Sequence, residues 1–226
     1  MRRDRFDPLE VPNYGFQEAV RYLHVPNSTL HYWMRPSINL LSPVDHQRRL
    51  FSFKNLVECY VLNGLREIHG VRVSRIRHAL SYLRRKFPSK HPLADYELKT
   101  DGRWIFFWDK GTPLNVSLEG QVGIAPILDT YLQRVERDWQ AGKWILYPFT
   151  RLRQMRTPGD HPKVIAMNPK ICFGMPVLRG TRITTATLAS RFLGGDSVPV
   201  LANSYGRPEG EVAEAIFWET GQEQAA

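Results

Sequence analysis

Up to Phe87 the apolar residues of this chain recur at helical spacing, and from Tyr96 they recur at every second residue. A period near 3.6 puts one stripe of a helix on a core, whereas a period of two does the same for one face of a strand. A single chain carrying both must join a helical module to a small sheet. In the first part, Phe16, Ala19, Val20 and Leu23 form one short stripe. Pro26 then disfavours helix at Val25, and Asn27 or Ser28 supplies an N-cap for a second helix carrying Leu30 and Trp33. Two short helices around so tight a break predict a helix-turn-helix, with Leu30 and Trp33 facing the core.

The basic segment "PSINLLSPVDHQRRLF" follows, and then Ser52 can cap a helix marked by Phe53, Leu56, Val57, Tyr60, Val61 and Leu65 and ended by Gly70. Ile76, Ala79, Leu80, Leu83 and Phe87 define a further helix that stops before Pro88, with Ser74 as its available cap. From Tyr96, "YELKT" and "RWIFFWD" flank an Asp-Gly turn and "PLNVSL" adds a third strand, so the spacing predicts an antiparallel meander. A helix is expected from about 124 to 139, and "KWILYPF" reads as a strand ending at Pro148. Beyond a polar linker over 151–162 come a short strand at 164–167, a helix over 185–193 closed by Gly194-Gly195, and two more helices around Gly206. These last helices repeat the helix-turn-helix form without repeating residues. The predicted class is α+β, mainly helical. Its expected regions are 1–150 (winged helix-turn-helix, meander and helix), the linker 151–162, and a C-terminal helix-turn-helix domain over 163–226.

The charge is unevenly spread. Residues 1–86 hold 15 Lys+Arg against 7 Asp+Glu, a net of +8, out of +9 for the whole chain. A concentrated cationic excess suits a polyanion, since each neutralised phosphate releases counterions. No apolar run reaches the ~18–20 residues of a membrane span, and "MRRDRFDPLEVPNYG" lacks the apolar stretch of a secretory signal. No membrane partner and a cytoplasmic location are therefore expected. Cys59 and Cys172 are the two cysteines, and they lack the spacing of a zinc or redox motif.

"GMPVLRGTRI", residues 174–183, is the stretch that most resembles a phosphate cradle. It fails that template: five residues separate Gly174 from Gly180, Thr181-Arg182 stand where Lys-Ser would, and Pro176 removes an amide. The loop is read as a turn between short strands, in which Thr181 and Arg182 hydrogen-bond locally or meet a partner copy. The seven histidines include no His-x-x-x-His pair, and most aspartates fall at turns and helix ends. Hence no metal, no cofactor and no enzymatic activity are expected.

The first helix-turn-helix is the better functional candidate. A recognition helix presents its N-terminal residues to base edges, so Asn27, Ser28, Thr29, His31, Tyr32 and Arg35 are the expected DNA contacts. Arg48 and Arg49 would reach phosphates, which position a protein without specifying sequence.

Residues 14–87 resemble the winged helix-turn-helix of the MerR family. There "T-L-R-Y-Y" opens the recognition helix and "R-x-Y-S" closes the wing; Thr29, Leu30, Tyr32, Arg49 and Ser52 match, while His31 replaces an arginine and Phe51 a tyrosine. Residues 164–219 resemble an antitoxin-like domain with the pattern P-x-I-C-x-G-x-P-V-[IL]-x-G-T-R-I. Pro169, Ile171, Cys172, Gly174, Pro176, Val177, Gly180, Thr181, Arg182 and Ile183 match, and Met175 and Arg207-Pro208 depart from it. Together the two halves look like a VapB-type antitoxin of the large two-domain kind. That resemblance implies a homodimer that represses its own operator and neutralises a PIN-domain ribonuclease toxin. A stand-alone MerR-like regulator, with a ligand-sensing or dimerising C-terminal part, is the alternative.

Overall fold

In the computed structural model the described residues are 7–87, 89–96, 98–100, 105–109, 112–116, 121–122, 134–138, 143–150 and 162–221. The chain divides into two compact units, 1–133 and 134–226.

The first unit opens with α1 (Phe16–Leu23) and α2 (Asn27–Met34). His24 takes a left-handed conformation (φ 51°) at the end of α1. Pro26, at φ −56°, leads straight into α2, so it occupies the cap position and Asn27 is already helical. The expected Asn27 or Ser28 cap is thereby corrected: the locked proline ring presets the helical entry one residue earlier. Leu30 and Trp33 are each 1% exposed, as their spacing requires.

The chain returns through an irregular segment to α3 (Phe53–Asn63). Ser52 caps it as expected, accepting from Asn55 N at 3.3 Å, a bond that contributes about 1 kcal/mol. Its residues are buried almost all round, Lys54 being the half-buried exception, so α3 is the axis of the unit rather than an amphipathic surface helix. A π turn over Gly64–Ile68 extends it. α4 (Val73–Lys86) follows with Arg72, not Ser74, at its cap, because Ser74 already lies inside the helix. Residues Pro92–Asp95 add a short α5.

The meander is present with one strand more than expected: β1 (Leu98–Thr100), β2 (Ile105–Asp109), β3 (Thr112–Asn115) and β4 (Gln121–Val122) pair antiparallel in that order. The Asp101-Gly102 turn lies outside the described residues.

The second unit begins with β5 (Val135–Asp138) paired antiparallel to β6 (Lys143–Leu146). The helix expected over 124–139 is corrected there: Val135, Glu136 and Arg137 stand opposite Leu146, Ile145 and Trp144 in an antiparallel pair, and cross-strand pairing outweighs a marginal helical period. Residues 124–133 lie outside the described ones. So does the expected linker, apart from Pro162. The hairpin stands with the C-terminal unit because Leu146 exchanges both backbone bonds with Met167, at 3.0 and 2.8 Å. β7 (Ile165–Ala166) and β8 (Val177–Leu178) form a further antiparallel pair. Three helices complete the unit: α6 (Thr185–Leu193), α7 (Val198–Tyr205) and α8 (Glu209–Thr220). Leu178, Leu188, Leu201, Val212, Ala215 and Ile216 make their shared core. The fold is α+β and mainly helical, with a helix-turn-helix at each end.

Candidate nucleic-acid interface

Alternation along α2 separates what it buries from what it offers. With Leu30 and Trp33 in the core, Asn27, Ser28, His31 and Arg35 are exposed, and Thr29 and Tyr32 are half-buried. The His31 ring lies 4.4 Å from that of Phe16 at 32°, which restrains the imidazole beside the first helix. The Arg35 guanidinium sits 5.9 Å from the Tyr32 ring centre, within cation–π reach. The first turn of α2 holds no acidic residue, so the positive end of the helix dipole is not neutralised there.

The wing is a tight loop. Asp45 and Leu50 exchange backbone bonds at 3.1 and 3.0 Å, and Arg48 N donates to Asp45 Oδ1 at 2.9 Å. Arg49 takes a left-handed turn (φ 54°) before Phe51 pairs with Tyr14. These bonds leave the side chains of Arg48 and Arg49 exposed at the tip. The structure thus brings all eight expected contact residues onto the first unit, six on α2 and its exit and two on the wing.

Thr181 and Arg182 stand in the second unit. Thr181 Oγ1 donates to Leu178 O at 2.9 Å and accepts from Ile183 N at 3.0 Å, while Gly180 supplies the left-handed residue of the turn (φ 76°). Arg182 is exposed, and its carbonyl accepts from Cys172 Sγ at 3.4 Å. "GMPVLRGTRI" therefore comprises β8 and the structural turn that leads from it to α6.

Beneath the wing lies a group of polar residues that no local motif announces. His91, 6% exposed, places Nδ1 2.9 Å from Glu58 and Nε2 2.9 Å from Glu10. Lys54 bridges Glu10 at 3.0 Å and Asp95 at 3.2 Å. Burial alone would lower the His91 pKa, but the hydrogen bond and charge of Glu58, joined by Glu10, outweigh it and hold the imidazole above the ordinary histidine value. Burial pushes the Glu58 carboxyl up, against the pull of His91 and Asn55. Asn55 links this group to the wing, donating to Ser42 O at 2.9 Å and accepting from Val44 N at 3.1 Å. Sequence reading missed the group because 33 and 81 positions separate His91 from its two carboxylates. Among the described residues no cluster of three or more His, Cys, Asp or Glu is arranged to hold a metal, and no helix is long and apolar enough to cross a membrane.

If α2 reads bases, changing Asn27 or Tyr32 to alanine shifts preference between operator sequences by about 1–3 kcal/mol per affected base pair. Binding measured over a panel of single-base operator variants checks this; a uniform loss across the panel counts against it.

Comparison with known proteins agrees with this geometry. Residues 14–83 match the family described as MerR HTH family regulatory protein, and residues 165–217 match one described as a protein of unknown function, DUF433. A Mycobacterium tuberculosis protein named "Putative antitoxin VapB45" is 28% identical, over 94% of this chain and 94% of its own. The crystal structure of Rv2018 from Mycobacterium tuberculosis shares the fold, with a TM-score of 0.63 at 22% identity over 94% of this chain and 99% of that one. The chain thus carries one segment that matches the MerR regulators and another that matches DUF433, and it resembles a VapB-type antitoxin of the large two-domain kind.

Proposed function

We propose that this chain is the antitoxin of a type II toxin–antitoxin system, a non-enzymatic cytoplasmic protein. It binds operator DNA as a homodimeric autorepressor and neutralises a PIN-domain ribonuclease toxin. The observation that carries the DNA half is the joint presentation, on one compact unit, of the polar face of α2 and the wing arginines. The toxin half rests on likeness to a named antitoxin along nearly the whole of both chains.

Of the two helix-turn-helix shapes, the first is the DNA reader in this proposal. α8 carries Glu209 and Glu211 in its first turn, where α2 carries no acid. Carboxylates at that end repel a phosphate backbone and neutralise the dipole that would attract it.

The test is salt-dependent binding of the purified chain to its own promoter, together with co-purification of the neighbouring gene's product. Absence of both overturns the proposal. The MerR match favours a second reading, a stand-alone regulator; an adjacent gene encoding a PIN domain decides against it. For Thr181 and Arg182 the proposal keeps a contact with a partner copy through the exposed Arg182. An Arg182→Ala variant is then expected to sediment as a monomer, and a fully dimeric variant removes that contact.

A further inference from the structure

A cleft of about 530 Å³ is lined by the segment running from the exit of α2 to the base of the wing, by α4 and the loop after it, and by Glu10. Asn39 and His46 are among the lining residues, Arg84 and Lys90 supply cationic wall, and Glu10 and His91 also line it. That volume falls within the ~300–1,000 Å³ of small-molecule sites.

Each wall is tied to a part of the DNA-reading surface. Arg84, on α4, donates to Asn39 O at 3.0 Å, and Asn39 N in turn bonds Arg35 O at 2.8 Å, at the exit of α2. Asn39 is held at φ 50°. On the other side, Ser42 Oγ and His46 Nε2 are 2.9 Å apart at the base of the wing, which Asn55 anchors from below. The charge of Glu10 is already met by Lys54 and His91 at 3.0 and 2.9 Å. Arg84 and Lys90 therefore leave the cleft net positive. A group entering it must be anionic to gain from them, and the lining residues Asn39 and His46 belong to the exit of the recognition helix and the base of the wing.

We infer that this cleft binds a small organic anion bearing a carboxylate or a phosphate, held by Arg84 and Lys90, and that its occupancy changes operator affinity. The coupling rests on the DNA-binding reading above; the site does not. Binding at Arg84 draws the guanidinium from Asn39 O, which loosens or re-aims the exit of α2, while the Ser42–His46 pair carries the same event to the wing. Coupling of this kind is reciprocal, so operator DNA changes the anion's affinity by the same factor.

The experiment uses the full chain, titrated with citrate and with inorganic phosphate at ionic strength held constant by sodium chloride. The His46 and His91 ring signals are followed by NMR, and operator affinity by fluorescence anisotropy. Saturable ring shifts with at least one probe are expected, weakened about tenfold or more in Lys90→Ala and in Arg84→Gln, with a change of roughly 5-fold or more in operator affinity. Shifts that grow without saturating, or that persist in the Arg84→Gln/Lys90→Ala double variant, overturn the site. Two silent probes, with Lys90→Ala lowering both operator affinity and its salt dependence, assign the cleft to a DNA phosphate instead and also overturn it. Saturable binding in a protein that does not bind DNA leaves the site standing and removes only the coupling.

Discussion

Replacing Arg48 and Arg49 together by alanine is expected to weaken operator binding by roughly 10- to 100-fold per half-site, from about 0.7–1.4 kcal/mol per lost phosphate contact. The slope of log affinity against log salt should become shallower by about 1.8 per half-site, since each neutralised phosphate contributes about 0.9. Fold stability should hardly move. Both side chains are exposed, and the wing is held by the Asp45–Leu50 backbone pair and by the Asp45 carboxylate on Arg48 N. None of those bonds uses a guanidinium, so the change removes charge without removing structure. Anisotropy at several salt concentrations, against operator and unrelated duplexes, checks the result. An affinity loss confined to the operator would make these residues base readers and sink their role as phosphate contacts.

Removing His91 is expected to act on stability instead. His91→Ala leaves the Glu58 carboxyl, 2% exposed, without its closest charge partner. Breaking a buried pair from one side costs roughly 3–5 kcal/mol, a fall of about 10 °C in the melting temperature. Replacing both partners, in Glu58→Leu/His91→Ala, should recover much of that loss, because no carboxylate is then left stranded. Equal losses in the single and double variants would show that the pair does not act as a unit. A pH dependence accompanies it. The folded His91 pKa is raised above 6.5, so above that value the folded chain holds a proton that the unfolded chain has released. This stabilisation is complete below pH 6.5 and is lost as pH rises through the raised value, by up to about 1.4 kcal/mol per pH unit. The Glu58 carboxyl, raised from its ordinary 4.5, acts with the same sign from pH 4.5 upward. Melting curves from pH 6 to 9 should therefore show stability declining with pH in the native chain and a flatter profile in His91→Gln.

Much of the face that α2 presents was legible in order along the chain. Leu30 and Trp33 face inward because residues three apart share a helical face, and once they are buried the outward positions follow. Ser52 at the start of α3 was legible for a similar reason: a cap acts on the backbone three residues away. The errors fall where sequence distance is large or two local preferences are nearly equal. Val135 follows Leu128 and Tyr131 at a spacing that suits the end of a helix, yet its strand, Val135–Asp138, pairs with the strand at 143–146. Asn27 is a good capping residue by type, but Pro26 already sets the entry to α2.

By itself, the sequence determined the two helix-turn-helix shapes, the α+β class, the face that α2 presents, and the concentration of positive charge in the first 86 residues. All of these are properties of neighbours along the chain or of sums over it. Only the tertiary structure decided that Glu10, Glu58 and His91 meet beneath the wing, and that Asn39, His46, Arg84 and Lys90 surround one cleft. Such groups are made where loops pack against helices, and that packing brings together residues whose separation in sequence carries no period to read. The loop "GMPVLRGTRI" shows the division within ten residues. Its failure as a phosphate cradle could be read from spacing alone, but the two hydrogen bonds of the Thr181 hydroxyl, which close the turn, could be seen only in the fold.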